Sequence, residues 1–90
     1  MNKTELIAII ADKAAVTKKE AELVLQAIVD TVTETLATDE KVVITGFGTF
    51  EVRKRVARSG RDPRTGKVIQ IPAQKTPAFK AGKGLKDAVR

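Results

Sequence analysis

The stretch Arg53-Lys54-Arg55-Val56-Ala57-Arg58-Ser59-Gly60-Arg61-Asp62-Pro63-Arg64-Thr65-Gly66-Lys67-Val68-Ile69-Gln70-Ile71-Pro72-Ala73-Gln74-Lys75 decides the fold. Its centre, Arg61 to Gly66, is a turn: Pro63 presets φ, Asp62 can bond the local backbone, and Gly66 takes a positive φ. Thr49 to Arg58 reads as the strand entering that turn and Lys67 to Thr76 as the strand returning from it. With the turn centred on Pro63 and Arg64, Val56 faces Ile71, Arg58 faces Ile69, Arg55 faces Pro72 and Arg53 faces Gln74. Pro72 has no N–H to give a ladder, so it belongs on an edge or in a two-stranded ribbon. The segment has too few large apolar residues to bury a face, and a lone hairpin is marginal in water. It is therefore either covered or an arm that projects and becomes ordered on a ligand.

Working outward, Lys41-Val42-Val43-Ile44-Thr45 predicts a strand and Gly46-Phe47-Gly48 a tight reversal with close backbone approach. Upstream, the period changes to that of helices. Asn2 followed by Glu5 opens the first, whose apolar spacing runs Leu6, Ile7, Ile10, Ala14, Ala15. Thr17 followed by Glu20 opens the second more clearly. Its stripe is Ala21, Leu25, Ile28, Val29, Val32 and Leu36, and Ala37-Thr38-Asp39-Glu40 ends it. Downstream, Lys83 to Arg90 predicts a short helix. The expected fold is α+β and a single domain over 1–90. It has a helical base (1–40), a three-stranded antiparallel sheet (41–82) with a long two-stranded β-arm (53–76), and a C-terminal helix (83–90). No repeat or low-complexity segment interrupts it.

Without the arm, the chain nears the size at which one core struggles to offset chain entropy. The stripe through Val29, Val32 and Leu36, with Ile44, Phe47, Phe50 and Phe79, exceeds what one short helix can cover. A dimer sharing those residues in one core is the simplest solution.

Ninety residues, 42% hydrophobic and 31% charged, indicate a globular chain with a net charge of +6. That net value conceals an asymmetry. Residues 1–40 carry four Lys against eight Asp or Glu, and residues 41–90 carry thirteen Lys or Arg against Glu51, Asp62 and Asp87. Such a division suggests a structural half and a half that meets a polyanion, nucleic acid first and an anionic membrane surface second. The chain has no Cys and no His, so disulfides, the usual zinc sites and Ser/His or Cys/His nucleophiles are excluded. Glu20 and Glu22 point apart on a helix. Gly60 and Gly66 are one residue too far apart for a phosphate loop, and Val68 stands where Ser or Thr would hold magnesium. No catalytic residue, cofactor or metal is expected. No apolar run approaches the roughly 18–20 residues of a membrane span, and the acid Glu5 argues against a signal peptide. A cytoplasmic location is the default.

Arg53 and Arg55 share a face of an extended strand, while Arg58, Arg61, Arg64 and Lys67 surround the tip. A two-stranded ribbon fits a DNA groove, and arginine favours a narrow minor groove. Edge charges that merely keep a strand soluble would be mixed in sign, yet Asp62 is the sole acid between Val52 and Gln74. Pro63 has two readings, a residue that presets the turn or a rigid wedge that enters a base step. Lys75, Lys80, Lys83 and Lys86 would extend the positive track onto the body as phosphate contacts. For Lys86 a helix C-terminus already favours a cation.

At this point the chain resembles the HU/IHF family of bacterial DNA-bending proteins, its HU branch in particular, over the full length. The resemblance rests on Met1-Asn2-Lys3-Thr4-Glu5-Leu6, Gly46-Phe47-Gly48-Thr49-Phe50, Glu51-Val52-Arg53, Gly60-Arg61-Asp62-Pro63-Arg64-Thr65-Gly66, Ile71-Pro72-Ala73 and Pro77-Ala78-Phe79-Lys80. It implies an intertwined dimer with a helical base and two arms that wrap DNA through the minor groove. Proline wedges are an established device of this class. By resemblance, Arg53, Arg55, Arg58 and Arg61 match arm positions that meet DNA, and Pro63 matches the intercalating tip. Lys3, Lys80, Lys83 and Lys86 match flank positions, and Phe47, Phe50 and Phe79 the aromatic core at the dimer interface. Two departures stand out. Asp62 replaces the Asn usual beside the tip proline, which implies slightly weakened insertion that Asp62→Asn should relieve. Ala81 and Gly84 stand where Pro and Ala are common, which implies a loosely started last helix.

The implied function is an architectural, largely sequence-independent binder of double-stranded DNA that organises the nucleoid. A sequence-specific regulator reading the major groove would need helix two, which Glu20, Glu22, Asp30 and Glu34 make repellent to phosphate. An RNA binder lacks Tyr and Trp as stacking platforms, which leaves RNA a secondary partner. A membrane partner fits worst, since no helix joins a basic face to a bulky aromatic one.

Overall fold

The computed structural model describes residues Met1–Arg90 and divides them into two units, Met1–Thr35 and Leu36–Arg90. The first unit holds α1 (Lys3–Ala14) and most of α2 (Lys18–Ala37). Asn2 caps α1 as expected: its side-chain oxygen accepts the Glu5 N–H at 2.9 Å. At the other end Ala15 takes a left-handed conformation, φ 56°. The Ala15 and Val16 N–H groups then donate to Asp12 and Ala11 carbonyls, which closes the helix. At the start of α2, Thr17 Oγ1 accepts the Glu20 N–H at 3.1 Å and donates to Glu20 Oε1 at 3.0 Å. The reciprocal bond thus runs to the hydroxyl of Thr17. In the second half of α2, Thr31 and Thr33 turn their hydroxyls back onto the carbonyls four residues earlier, each at 2.7 Å.

The second unit begins with the last turn of α2. It continues through β1 (Val42–Ile44), β2 (Gly48–Arg55), β3 (Arg58–Arg61), β4 (Val68–Ile71), β5 (Gln74–Ala81) and α3 (Lys83–Val89). β1, β2 and β5 form an antiparallel sheet in the order β1-β2-β5, and β3 pairs with β4 in a separate ribbon. Ile44 to Phe47 is a turn closed by the Phe47 N–H on the Ile44 carbonyl at 2.9 Å, with Gly46 at φ 84°. Phe50 stands opposite both Val42 and Phe79, and Val52 opposite Pro77, so one face of the sheet is apolar. The Phe79 ring lies 4.8 Å from that of Phe50 and 5.3 Å from that of Phe47.

Three sequence expectations change. The arm's register differs by two residues: Arg53 pairs with Thr76, Arg55 with Gln74 and Arg58 with Ile71. The cause is the tip, whose loop runs from Asp62 to Lys67 rather than from Arg61 to Gly66. The Asp62 N–H donates to the Lys67 carbonyl and the Gly66 N–H to the Asp62 carbonyl, both at 2.8 Å, with Gly66 at φ 71°. An even shift leaves every side chain on its expected face. Second, neither arm strand is continuous. Val56-Ala57 and Pro72-Ala73 break the ladder at facing positions, because Pro72 has no N–H to donate. Third, no side chain caps α3 at Gly82, and its start is tied instead to the turn between β1 and β2. The Gly82 N–H donates to the Phe47 carbonyl at 2.8 Å and the Leu85 N–H to the Gly46 carbonyl at 3.3 Å.

The buried apolar side chains of the single chain are Ala11 and Ala21. Of the residues expected in a shared core, Val32, Leu36 and Phe50 are half-buried. Val29 (48% exposed), Ile44 (41%), Phe47 (44%) and Phe79 (39%) stay open to solvent. One chain alone therefore covers none of them fully.

Candidate nucleic-acid interface

Strand alternation sorts the cations of the arm. Along β2 and β5, Arg53, Arg55 and Lys80 share one face with Thr49, Gln74 and Thr76. Lys54 and Lys75 lie on the other, the face of Phe50, Val52, Pro77 and Phe79. Arg53 Nη2 stands 3.7 Å from Glu51 Oε1, an exposed pair of little energetic weight. Along β3, Arg58 and Gly60 share one face, opposite Ile71 and Ile69, and Ser59 and Arg61 take the other. Gln70 Nε2 donates to Ser59 Oγ at 3.3 Å across the ribbon.

At the tip, Asp62 Oδ1 accepts the Arg64 N–H at 2.8 Å, and the Lys67 N–H donates to Thr65 Oγ1 at 3.3 Å. The Asp62 side chain thus builds the loop that presents Pro63 and Arg64, both exposed. Asparagine could accept the same bond, so the charge of Asp62 is separable from its structural role.

Lys80, Lys83 and Lys86 are exposed, and Lys86 occupies the last turn of α3. Lys3 belongs to the helical unit, where its ammonium donates to Gln26 Oε1 at 3.2 Å. There Lys3, Lys18 and Lys19 line one shallow cleft between the starts of α1 and α2. Lys18 and Lys19 were not among the expected contacts because they fall in the half of the chain that carries eight acids against four Lys. Lys54 escaped too, although alternation with Arg53 and Arg55 marks its opposite face.

Lys75 is placed differently from the expectation that it extends the track toward Lys80. An odd spacing puts the two on opposite faces, and the Lys75 ammonium is held by Asp39 Oδ2 at 3.0 Å. Lys54 Nζ stands 3.4 Å from the same oxygen. The hydrogen bond from Lys75 holds the Asp39 carboxyl below its ordinary value of 3.8; slight desolvation opposes this, and the Lys54 charge adds to it. A depressed carboxylate stabilises the fold above its ordinary value and loses that contribution as pH falls through the lowered one. In a carbon-detected NMR titration the Asp39 midpoint should fall below 3.8, and Lys75→Gln should move it back up. A midpoint at or above 3.8 would contradict the clasp.

No group of three or more Asp or Glu side chains is placed to hold a metal ion, and no helix is long and apolar enough to cross a membrane. An exposed ribbon carrying arginines along its length, beside a sheet and a short helix, has the charge of a surface directed at a polyanion.

Comparison with known proteins agrees with that reading. The profile of the family described as bacterial DNA-binding protein matches residues 1–90. The "DNA-binding protein HU" of Staphylococcus aureus is 58% identical over 90 residues, covering 100% of both chains. The SPbeta prophage-derived HU 2 of Bacillus subtilis is 59% identical, covering 100% of this chain and 98% of its own. Among solved structures, an Anabaena HU–DNA cocrystal structure matches with a TM-score of 0.87 at 48% identity, covering 99% of this chain and 97% of the other. HU from Thermotoga maritima matches with a TM-score of 0.71 at 40% identity over 100% of each chain. The chain belongs to the bacterial DNA-binding protein family, on its HU branch.

Proposed function

We propose that the protein is an architectural binder of double-stranded DNA. In this account it acts as a homodimer, reads little sequence, bends its target through the minor groove and organises the nucleoid. The observation that carries this is the ribbon from Arg53 to Lys75. It is exposed, it holds a single acid between Val52 and Gln74, and it ends in a loop that presents Pro63. A ribbon of that form enters a groove, arginine concentrates where a narrow minor groove focuses negative potential, and an apolar wedge kinks a base step. Arg53, Arg55, Arg58, Arg61, Arg64 and Lys67 would line the arm's path. Lys3, Lys80, Lys83 and Lys86 would meet flanking phosphates. Support for the dimer comes from the exposed apolar residues of α2 and of the sheet. Ile28 (51%) and Val29 (48%), with Phe47 and Phe79, form more open apolar surface than a stable monomer keeps.

Ring closure of short duplexes tests bending. The wild type should accelerate cyclisation, and Pro63→Ala should lower that effect about tenfold while changing affinity for a straight duplex by less than about threefold. Equal loss of both, or unchanged cyclisation, would reduce Pro63 to a turn residue.

A further inference from the structure

Lys54 and Lys75 stand directly opposite each other across β2 and β5. Like charges in that position repel. Here both ammonium groups converge on one oxygen, Asp39 Oδ2, at 3.4 Å and 3.0 Å. Asp39 reaches them from just beyond α2 in a left-handed conformation, φ 65°, with its N–H donating to the Leu36 carbonyl at 3.0 Å. L-residues rarely adopt that conformation, although aspartate tolerates it better than most. The backbone here thus delivers one carboxylate to the only directly opposed pair of cations in the β2–β5 ladder. The ribbon root carries cations on both faces, and this carboxylate stands between the two on one of them.

We propose that Asp39 masks Lys54 and Lys75, so that the root of the arm offers a polyanion only the face bearing Arg53, Arg55 and Lys80. The proposal rests on the DNA-binding reading above and adds sidedness to it. A ribbon basic on both faces could capture a second duplex and tie two DNA segments together. A ribbon masked on one face grips a single duplex. The two lysines are silent in DNA binding while Asp39 is present and become phosphate contacts when it is neutralised.

The test uses the full-length protein and three variants: Lys54→Gln/Lys75→Gln, Asp39→Asn, and the triple substitution. Anisotropy across a salt series reads phosphate contacts, and energy transfer between two differently labelled duplexes reads bridging. Exposed ion pairs add little stability, so all three should fold as the wild type does by circular dichroism. The lysine double variant should keep the wild-type salt slope. Asp39→Asn should steepen it by about 1.8, at roughly 0.9 for each of two phosphates, and should raise transfer between duplexes above the wild-type level. The triple variant should return both to wild type. A slope that falls by about 1 or more in the lysine double variant would overturn the mask, because the lysines would then touch DNA already. So would an Asp39→Asn slope and transfer equal to wild type. A wild type that binds no duplex at all would overturn the DNA reading itself, which is a distinguishable failure.

Discussion

Replacing residues 56–73 by an Asn-Gly turn should lower affinity for duplex DNA by about 100- to 1,000-fold near physiological salt while leaving a folded protein. Arg55 and Gln74 are directly paired, so a two-residue turn closes the shortened hairpin without changing register. The excision takes out Arg58, Arg61, Arg64 and Lys67, along with Asp62 and Pro63. At roughly 0.9 per phosphate, losing four contacts should flatten the log–log salt slope by about 3.6. The fold should survive because β3 and β4 pair only with each other, while β1, β2 and β5 form their own sheet. Circular dichroism checks the second half of this expectation and anisotropy the first. A folded variant that binds within about threefold of wild type would place the binding surface on the body instead. A variant that unfolds would make the arm part of the core.

The second large effect is on folding. Gly48 is buried at the start of the central strand, opposite Ala81. A Cβ there would overlap the Phe79 ring and stand 2.7 Å from the Lys80 carbonyl oxygen. The ring could swing away only by leaving Phe47 and Phe50, and the carbonyl belongs to the adjacent strand. Gly48→Val should therefore cost about 3 kcal/mol, the upper range for overpacking, with a fall in Tm of about 10–20 °C for a domain of this size. Thermal unfolding measures it. A Tm within about 3 °C of wild type would mean that the Phe79 cluster repacks freely.

The helix starts were legible because capping is local: Asn2 and Glu5, Thr17 and Glu20 lie within one turn of each other. The strands on either side of Gly46-Phe47-Gly48 were legible for a similar reason, since period-two spacing is also a local signal. The register differs because the turn signals centre on Pro63 and Arg64, whereas the Asp62 N–H bonds the Lys67 carbonyl and moves the loop one residue toward the C-terminus, to Asp62–Lys67. Pro72 is compatible with a two-stranded ribbon and so gave no sign of a break; the interruption of both strands, with Val56-Ala57 facing Pro72-Ala73, follows only from the pairing. The placement of Lys75 was hidden by distance. Its partner Asp39 lies 36 residues away in the chain, and nothing local to Ala37-Thr38-Asp39-Glu40 distinguishes a helix terminator from a carboxylate aimed at two lysines.

The central claim is that an arm-borne basic surface binds duplex DNA through its backbone with little regard to sequence. Anisotropy on several unrelated duplexes, each across a salt series, tests it most directly. Neutralising about eight phosphates predicts a log–log slope near −7 and affinities that agree among sequences within a few-fold. A flat slope, or tight binding to one sequence alone, would contradict the account and return the protein to the class of sequence-reading regulators.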